Sequence, residues 1–502
     1  MNGTVMASLA DQIVVQPTET KQPAADRTSR KTVEILTRES DETLVAQLVA
    51  RFKRRIDERM LKPGSKLPSI RMLAEREGVS RFTVVEAYDR LVGQGMIESR
   101  RGSGFFVKER VVKPKTKQLA VAPHNTMDTV WLLRNMFREV GPHHMPGTGT
   151  VPPEWLDAEL IAHAMRAYAR GDGSSLLSYG TPQGWLPLRE QLTIKLSELE
   201  IDADPQQIVT TAGITQALTM VARQLARPGD TVLVDDPGWF VLFASLNAQG
   251  LKIVGVPHTH DGPDINALAR VCETHKPKFY VINSVLHNPT GHSLSAAKAF
   301  QILRLAEQHD FHIVEDDVYC DFHPGAQVQP ATRLATLDQL KRVIYLGSFA
   351  KTLAANLRVG FIAADAGLAS ALTDQKMLLS LTTPEMGERI VQKVLSEGHY
   401  RKHVERLRAK LEPRRAATLK LLEGAGVRFN NLSPCGLFLW GDLGVNSEAV
   451  ANAGAEAGFV FAPGSLFSPG QVYSTMMRFN AATSSHPQML KFLAQTLESA
   501  GR

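Results

Sequence analysis

The chain has 502 residues, a net charge of +6, and 43% hydrophobic against 22% charged residues, a balance that excludes a wholly disordered or fibrous chain. No apolar run approaches the roughly 20 residues a membrane span needs, and no apolar core behind a basic start marks a secretory leader. Cys272, Cys320 and Cys435 stand too far apart for a disulfide framework or a zinc knuckle, so a cytoplasmic protein with no metal site is expected. The charge is uneven. Residues 1–120 carry 23 Lys/Arg against 15 Asp/Glu, and the remainder 34 against 36, so a basic front is joined to a near-neutral body.

Residues 1–38 show no periodicity and read as a disordered tail. Val45, Leu48, Val49, Phe52, Ile56 and Met60 then recur at helical spacing, and Lys62-Pro63-Gly64 ends the pattern. Ser69 is placed to cap a short helix containing Ile70, Leu73 and Ala74 that stops at Gly78. Ser80 is placed to cap a third, with Val84, Ala87, Tyr88, Leu91 and Val92 inward. Met96-Ile97 and Phe105-Phe106-Val107 flank Arg100-Arg101-Gly102-Ser103-Gly104, a hairpin with a basic, glycine-rich tip. Three helices and such a hairpin make a winged helix-turn-helix over residues 39–108. The first turn of its third helix is where side chains meet base edges and phosphates. Residues 109–125, with Lys113-Pro114-Lys115, read as a linker.

From residue 126 to 502, helical patterns alternate with short apolar runs, among them Gln207–Val209, Thr231–Val234, Phe279–Ile282, His312–Val314, Val343–Leu346 and Phe361–Ala363. This alternation predicts a mostly parallel α/β sheet with ligands beyond the strands' carboxyl ends. Four clusters stand at or past such ends. Thr211-Ala212-Gly213-Ile214-Thr215-Gln216 opens a helix, where backbone N–H groups favour an anion. Asn288-Pro289-Thr290-Gly291 is a turn, and Glu315-Asp316-Asp317-Val318-Tyr319 sets an acid three residues from a phenol. Phe349-Ala350-Lys351, seven residues before Arg358, offers an amine that becomes a nucleophile if desolvated beside other cations.

The front segment Leu67–Ala74, Gly78–Val84, Leu91–Gly95 and Arg101–Gly104 resembles the GntR family of bacterial winged-helix regulators. By that resemblance Arg71, Ser80, Arg81, Thr83, Arg101 and Gly102 meet double-stranded operator DNA. Phe82 and Val85 stand where some relatives carry polar or basic contact residues, which leaves the base preference open. The four later clusters, with Tyr179–Gly184, Asp236–Trp239, Pro434–Phe438 and Met477–Asn480, resemble fold-type I pyridoxal-phosphate enzymes of the class I/II aminotransferases. That fold has a large parallel-sheet domain and a smaller α+β domain. The resemblance implies that Lys351 holds pyridoxal 5'-phosphate as an internal aldimine and that Asp316 faces the pyridine nitrogen. It puts Asn288 and Tyr319 on the phenolic oxygen, Trp239 on the ring face, and Ser348, Arg358, Thr215 and the Ile214 amide on the phosphate. Tyr179 reaches the phosphate of a partner subunit, which implies a homodimer, and Arg478 grips a substrate carboxylate. Ile214 stands where relatives often have serine, and Ala355-Asn356 replaces a common Pro-Gly.

Together the two resemblances give the layout of the MocR subfamily of regulators. The expected function is control of transcription, with an amino compound as the sensed effector. Two alternatives stay open: a working aminotransferase with a tethered DNA-binding domain, and a sensor of pyridoxal phosphate itself.

Overall fold

In the computed structural model, residues 36–37, 42–108, 129–137, 141–171, 176–325 and 331–500 are described here. All of the predicted linker, and all of the predicted tail except Leu36 and Thr37, lie outside these residues. The chain divides into two compact units at Pro123/His124.

In the first unit α1 (Leu44–Asp57), α2 (Ile70–Glu77) and α3 (Arg81–Gly93) precede a hairpin of β1 (Ile97–Arg100) and β2 (Gly104–Val107). The Ser69 hydroxyl accepts from Met72 N at 3.3 Å and the Ser80 hydroxyl from Thr83 N at 3.0 Å, so each serine satisfies an otherwise orphaned N–H at its helix start. Gly78 ends α2 in the left-handed conformation at φ 64°, where a glycine carries no Cβ penalty. Leu48, Phe52, Leu73, Val84, Tyr88, Leu91 and Val107 form one core, and Tyr88 donates to the Pro68 carbonyl at 2.9 Å. Two expectations fail. Helix α1 ends at Asp57, which leaves Met60 beyond its last turn and exposed, and Val92 is also exposed rather than inward. In both cases the apolar period runs past the point where the backbone, or the partner helices, stop supporting it.

The second unit is built on a sheet of eight strands. These are β3 (Ile208–Thr211), β4 (Thr231–Asp236), β5 (Lys252–Thr259), β6 (Gly262–Pro263), β7 (Phe279–Ile282), β8 (His312–Asp316), β9 (Val343–Ser348) and β10 (Gly360–Ala363), in the spatial order β3-β10-β9-β8-β7-β4-β5-β6. Alternate residues face two separate cores. Phe279 and Val281 of β7 pack in one, Tyr280 and Ile282 in the other, so both faces of the sheet are covered. The sheet is mixed rather than wholly parallel, because β10 runs antiparallel to both β3 and β9, pairing Gly360 with Thr211 and with Ser348. The start of β10 therefore lies at the same edge as the carboxyl ends of its neighbours. Strands β8 and β9 also extend two residues beyond their apolar runs, through Glu315-Asp316 and Gly347-Ser348. A smaller three-stranded antiparallel sheet, β11 (Phe438–Asp442), β13 (Met476–Asn480) and β12 (Ala462–Pro463), packs with the long helix His399–Gly424 and the helix Pro487–Ala500 around a further core. Among the described residues no helix is long and apolar enough to cross a membrane.

Candidate cofactor site and DNA-binding face

The carboxyl edge of the large sheet converges on one cleft. It is lined by Lys351, Asp316, Tyr319, Asn288, Trp239, Ser348, Arg358, Ile214 and Thr215, nine of the ten residues expected to hold a cofactor, together with Gly213, Val318 and Ala350. The antiparallel turn of β10 is what delivers Arg358. Arg358 sits just before that strand in a left-handed conformation, φ 52°, uncommon outside glycine, and donates to the Ala212 carbonyl at 2.6 Å. Its guanidinium lies so close to Gly213 (φ 91°) that a Cβ there would meet Nη2 at 2.9 Å. Gly213 also begins the helix Ile214–Leu225 without a side-chain cap, so the first N–H groups of that helix open toward the cleft beside a cation.

Asp316 ends β8, buried. One carboxylate oxygen accepts from Val318 N at 3.2 Å, and its carbonyl accepts from the Asn283 side chain at 2.5 Å. Burial pushes its carboxyl up to about 7, against a smaller pull from Lys351. Lys351 makes no hydrogen bond or ion pair among the described residues. Burial, with Arg478 and Arg358 nearby, brings its amine down to about 8. Tyr319 lies 5.7 Å by ring centroid from Lys351 Nζ and donates to the Gly149 carbonyl at 3.2 Å. Burial raises its phenol well above the ordinary value.

Arg478, 2% exposed, sits between the rings of Phe438 and Phe467 at 4.5 and 4.9 Å. Its two terminal nitrogens donate to Asn288 Oδ1 and to the Gly147 carbonyl, each at 2.6 Å, while its buried Nε–H has no partner among the described residues. Desolvation brings it down to about 10. Sequence reasoning missed the segment behind this arrangement, Gly147-Thr148-Gly149-Thr150. A Cβ on Gly149 would stand 2.8 Å from the Tyr319 hydroxyl and 3.7 Å from Lys351 Nζ, so the missing side chain keeps the space between them open. The alternation of Gly and Thr was the only local signal. Tyr179 is the expected residue that the structure does not bring to this cleft, since its side chain is 81% exposed.

A second buried cluster was not singled out from sequence. Asp235 takes the Tyr280 hydroxyl and lies 3.5 Å from both His258 Nδ1 and His287 Nε2. The two imidazoles are stacked at 3.8 Å and nearly parallel, so no point lies in both ring planes, as a shared metal ion bound through both lone pairs requires.

In the first unit the expected DNA contacts are exposed except Thr83, which is half-buried, and they are not equally free. Arg81, the first residue of α3, and Arg101 at the hairpin tip have no partner among the described residues, whereas Arg71 is paired with Glu75 at 2.9 Å. The hydroxyls of Ser80 and Thr83 bond each other at 2.8 Å. Arg100 lies over the Phe106 ring at 4.5 Å and pairs with Glu98. Gly102 turns the tip at φ 75°.

A half-buried lysine just past a strand end, beside a buried carboxylate and an uncapped helix start, is the arrangement expected of a fold-type I transferase site, and the winged helix is that expected of a DNA-binding regulator. Comparison with known proteins agrees on both. Residues 147–495 match the family model "Aminotransferase class I and II", and residues 44–107 match "Bacterial regulatory proteins, gntR family". The HTH-type transcriptional regulator YdfD of Bacillus subtilis is 30% identical over 405 residues, covering 78% of this chain and 83% of its own. The probable rhizopine catabolism regulatory protein MocR of Rhizobium meliloti is 29% identical over 390 residues, covering 74% and 76%. Among solved structures, the α-aminoadipate aminotransferase LysN of Thermus thermophilus, complexed with N-(5'-phosphopyridoxyl)-L-leucine, superimposes with a TM-score of 0.67 at 25% identity, over 74% of this chain and 95% of that one. The chain belongs to the class I and II aminotransferase family, and its N-terminal unit is a gntR-family DNA-binding region. It is a GntR-type regulator fused to an aminotransferase-like domain, the layout expected of MocR regulators.

Pyridoxal phosphate is the cofactor of that family, and the cleft fits it on its own chemistry. The buried Asp316 carboxylate has no cation in hydrogen-bond contact, the unpaired Lys351 amine faces the space kept open by Gly149, and the uncapped helix start with Arg358 offers a seat for a dianion.

Proposed function

We propose that this chain regulates transcription as a homodimer, holding pyridoxal phosphate through Lys351 and changing its hold on operator DNA when an amino compound meets that site. The observation that carries the reading is the convergence of Lys351, Asp316, Arg358 and the Gly213 helix start on one cleft of a chain that also bears a winged helix. When bound, the cofactor supplies an aldehyde that takes up amines and a ring that withdraws electrons. Lys351, with its amine brought down to about 8, has a larger neutral fraction near neutral pH than an ordinary lysine and would hold that aldehyde. Asp316 stabilises a protonated pyridine nitrogen, and protonation in turn relieves its own burial. Asn288 and Tyr319 would hold the ring's phenolic oxygen, Trp239 would lie against the ring, and Ser348, Thr215, the Ile214 amide and Arg358 would hold the phosphate. Arg478 orients an incoming carboxylate through the donors that Asn288 and Gly147 leave free.

Support for the dimer comes from an exposed apolar strip on which Leu177, Tyr179 and Leu378 are 90%, 81% and 83% exposed. The chain on either side of it adjoins, since a Cβ on Gly180 would lie 3.2 Å from the Thr383 carbonyl. A partner covering this strip would receive Tyr179 at its phosphate. We place the protein in the cytoplasm, where its DNA is. The effector acts only through a difference in affinity between two arrangements of the protein.

The same cleft supports a second reading, a working aminotransferase, because Arg478 stands ready for a carboxylate beside Lys351. A visible-absorption titration of the cofactor-loaded protein with amino acids and amines separates the two. A spectrum that shifts with one ligand and then holds identifies a sensor and its effector. Bleaching that an added keto acid reverses identifies amino-group transfer. No spectral response to any amine, combined with operator binding that changes on loading the cofactor, identifies a sensor of pyridoxal phosphate itself.

A further inference from the structure

The start of α3 carries an apolar side chain that the core does not use. Val84, Ala87, Tyr88 and Leu91 hold one face of α3 in the core. Phe82, two residues before Val84, points to the opposite face and is 74% exposed, with Val85 one turn on at 36%. Most polar groups around them are engaged, and Asp89, two turns on from Phe82, is exposed with no partner among the described residues. Ser80 and Thr83 bond each other, and Glu86, which shares that face, is paired with Arg90 at 2.6 Å. Beside Phe82, Arg81 is a cation with no partner among the described residues. An occupant that is anionic at the Arg81 end of this face and apolar over Phe82 fits it. In the major groove of DNA, phosphates line the edges and the thymine C5-methyl is the apolar feature that base pairs present.

We infer that Phe82, supported by Val85, is a specificity residue that reads thymine methyl groups in the operator. The inference rests on the DNA-binding role of the N-terminal unit and assigns it a base preference. Arg81 supplies attraction to the duplex, while Phe82 distinguishes T·A from C·G by burying its ring against a methyl that cytosine lacks.

The test starts from the full-length protein loaded with pyridoxal phosphate and a randomised duplex library. Duplexes that the protein retains are sequenced, and one is resynthesised with deoxyuridine replacing thymidine at each position in turn, which removes the methyl and keeps every hydrogen-bonding group. Wild type is expected to bind about fourfold more weakly for each contacted methyl removed, the factor for one buried methyl-sized group. Phe82→Ala is expected to bind thymine and uracil duplexes alike, and Arg81→Ala to weaken both while keeping the preference. Because Phe82 lies outside the core, Phe82→Ala should keep the wild-type melting temperature, so its loss of preference is not a loss of fold. Equal binding of thymine and uracil duplexes by wild type overturns the inference, as does a preference that survives Phe82→Ala. A Phe82→Ala protein that keeps its DNA preference but changes its oligomeric state assigns the face to a second copy instead. Failure to retain any duplex removes the DNA-binding role itself, an outcome distinct from binding without methyl preference.

Discussion

The two units use the same residue type in opposite ways. Arg81 and Arg101 of the winged helix stand in solvent with no partner among the described residues, while Arg478 of the large unit is 2% exposed and held between two aromatic rings. In water a cation interacts weakly with any single anion, but it adds to the binding of a polyanion by displacing counterions. A cation out of water interacts strongly with one well-placed group, at a desolvation cost that shifts its pKa and those of its neighbours. The first unit should therefore respond to salt and hardly to pH near neutrality. The second should respond to pH and hardly to salt.

The sharpest test of the buried half is Lys351→Ala. Wild type is expected to retain reducible, covalently held pyridoxal phosphate with its yellow absorption, and the variant to lose all of it. The rate of cofactor capture by the cofactor-free wild type should rise through about pH 8, where the amine loses its proton, rather than near the usual 10.5. Retention of a reducible linkage in Lys351→Ala would assign the cofactor to another lysine.

The exposed half is tested by Arg81→Ala. A base contact is worth about 1–3 kcal/mol, so operator affinity should fall about 5- to 150-fold in a gel-shift titration. Wild-type affinity should also fall as salt rises from 50 to 200 mM, the range over which phosphate contacts are lost to counterions. If cofactor capture proved equally salt-sensitive, the contrast between the halves would collapse.

How much of this was legible in sequence follows from where the information lies. The helix starts at Ser69 and Ser80 were readable because a cap and the N–H it satisfies are three residues apart. The full lengths of β8 and β9 were hidden because Glu315, Asp316 and Ser348 break the apolar run. Glu315 sits in the sheet only because the Leu334 and Ala335 N–H groups, far along the chain, satisfy its carboxylate at 2.8 Å each. The antiparallel course of β10, which brings Arg358 into the cleft, has no local signature in Phe361-Ile362-Ala363. The clusters around Lys351, Asp316 and Asn288 stood out singly as turns and charges, and their order carried the resemblance that joined them. Gly149 was invisible for a different reason. Its contribution is an absent Cβ opposite Tyr319, which lies 170 residues further along the chain.

The smallest expected effect probes what the cleft costs before its cofactor arrives. With the Asp316 carboxyl raised from an ordinary 3.8 to about 7 by burial, the folded cofactor-free protein keeps a proton that the unfolded chain releases. Its contribution to stability is therefore fully present below about pH 4 and is lost as pH rises through about 7. Asp316→Asn removes that slope. Cofactor-free wild type and variant should melt together near pH 4.5, and the variant should melt a few degrees higher at pH 8. Pyridoxal phosphate should reverse the order at pH 8, because only the carboxylate meets a protonated ring nitrogen. A variant that melts below wild type at pH 8 without cofactor would show that Asp316 is already satisfied by Val318 N and Lys351. The cleft would then not be held ready at the expense of stability, and the contrast with the solvent-facing winged helix would rest on Lys351 and Arg478 alone.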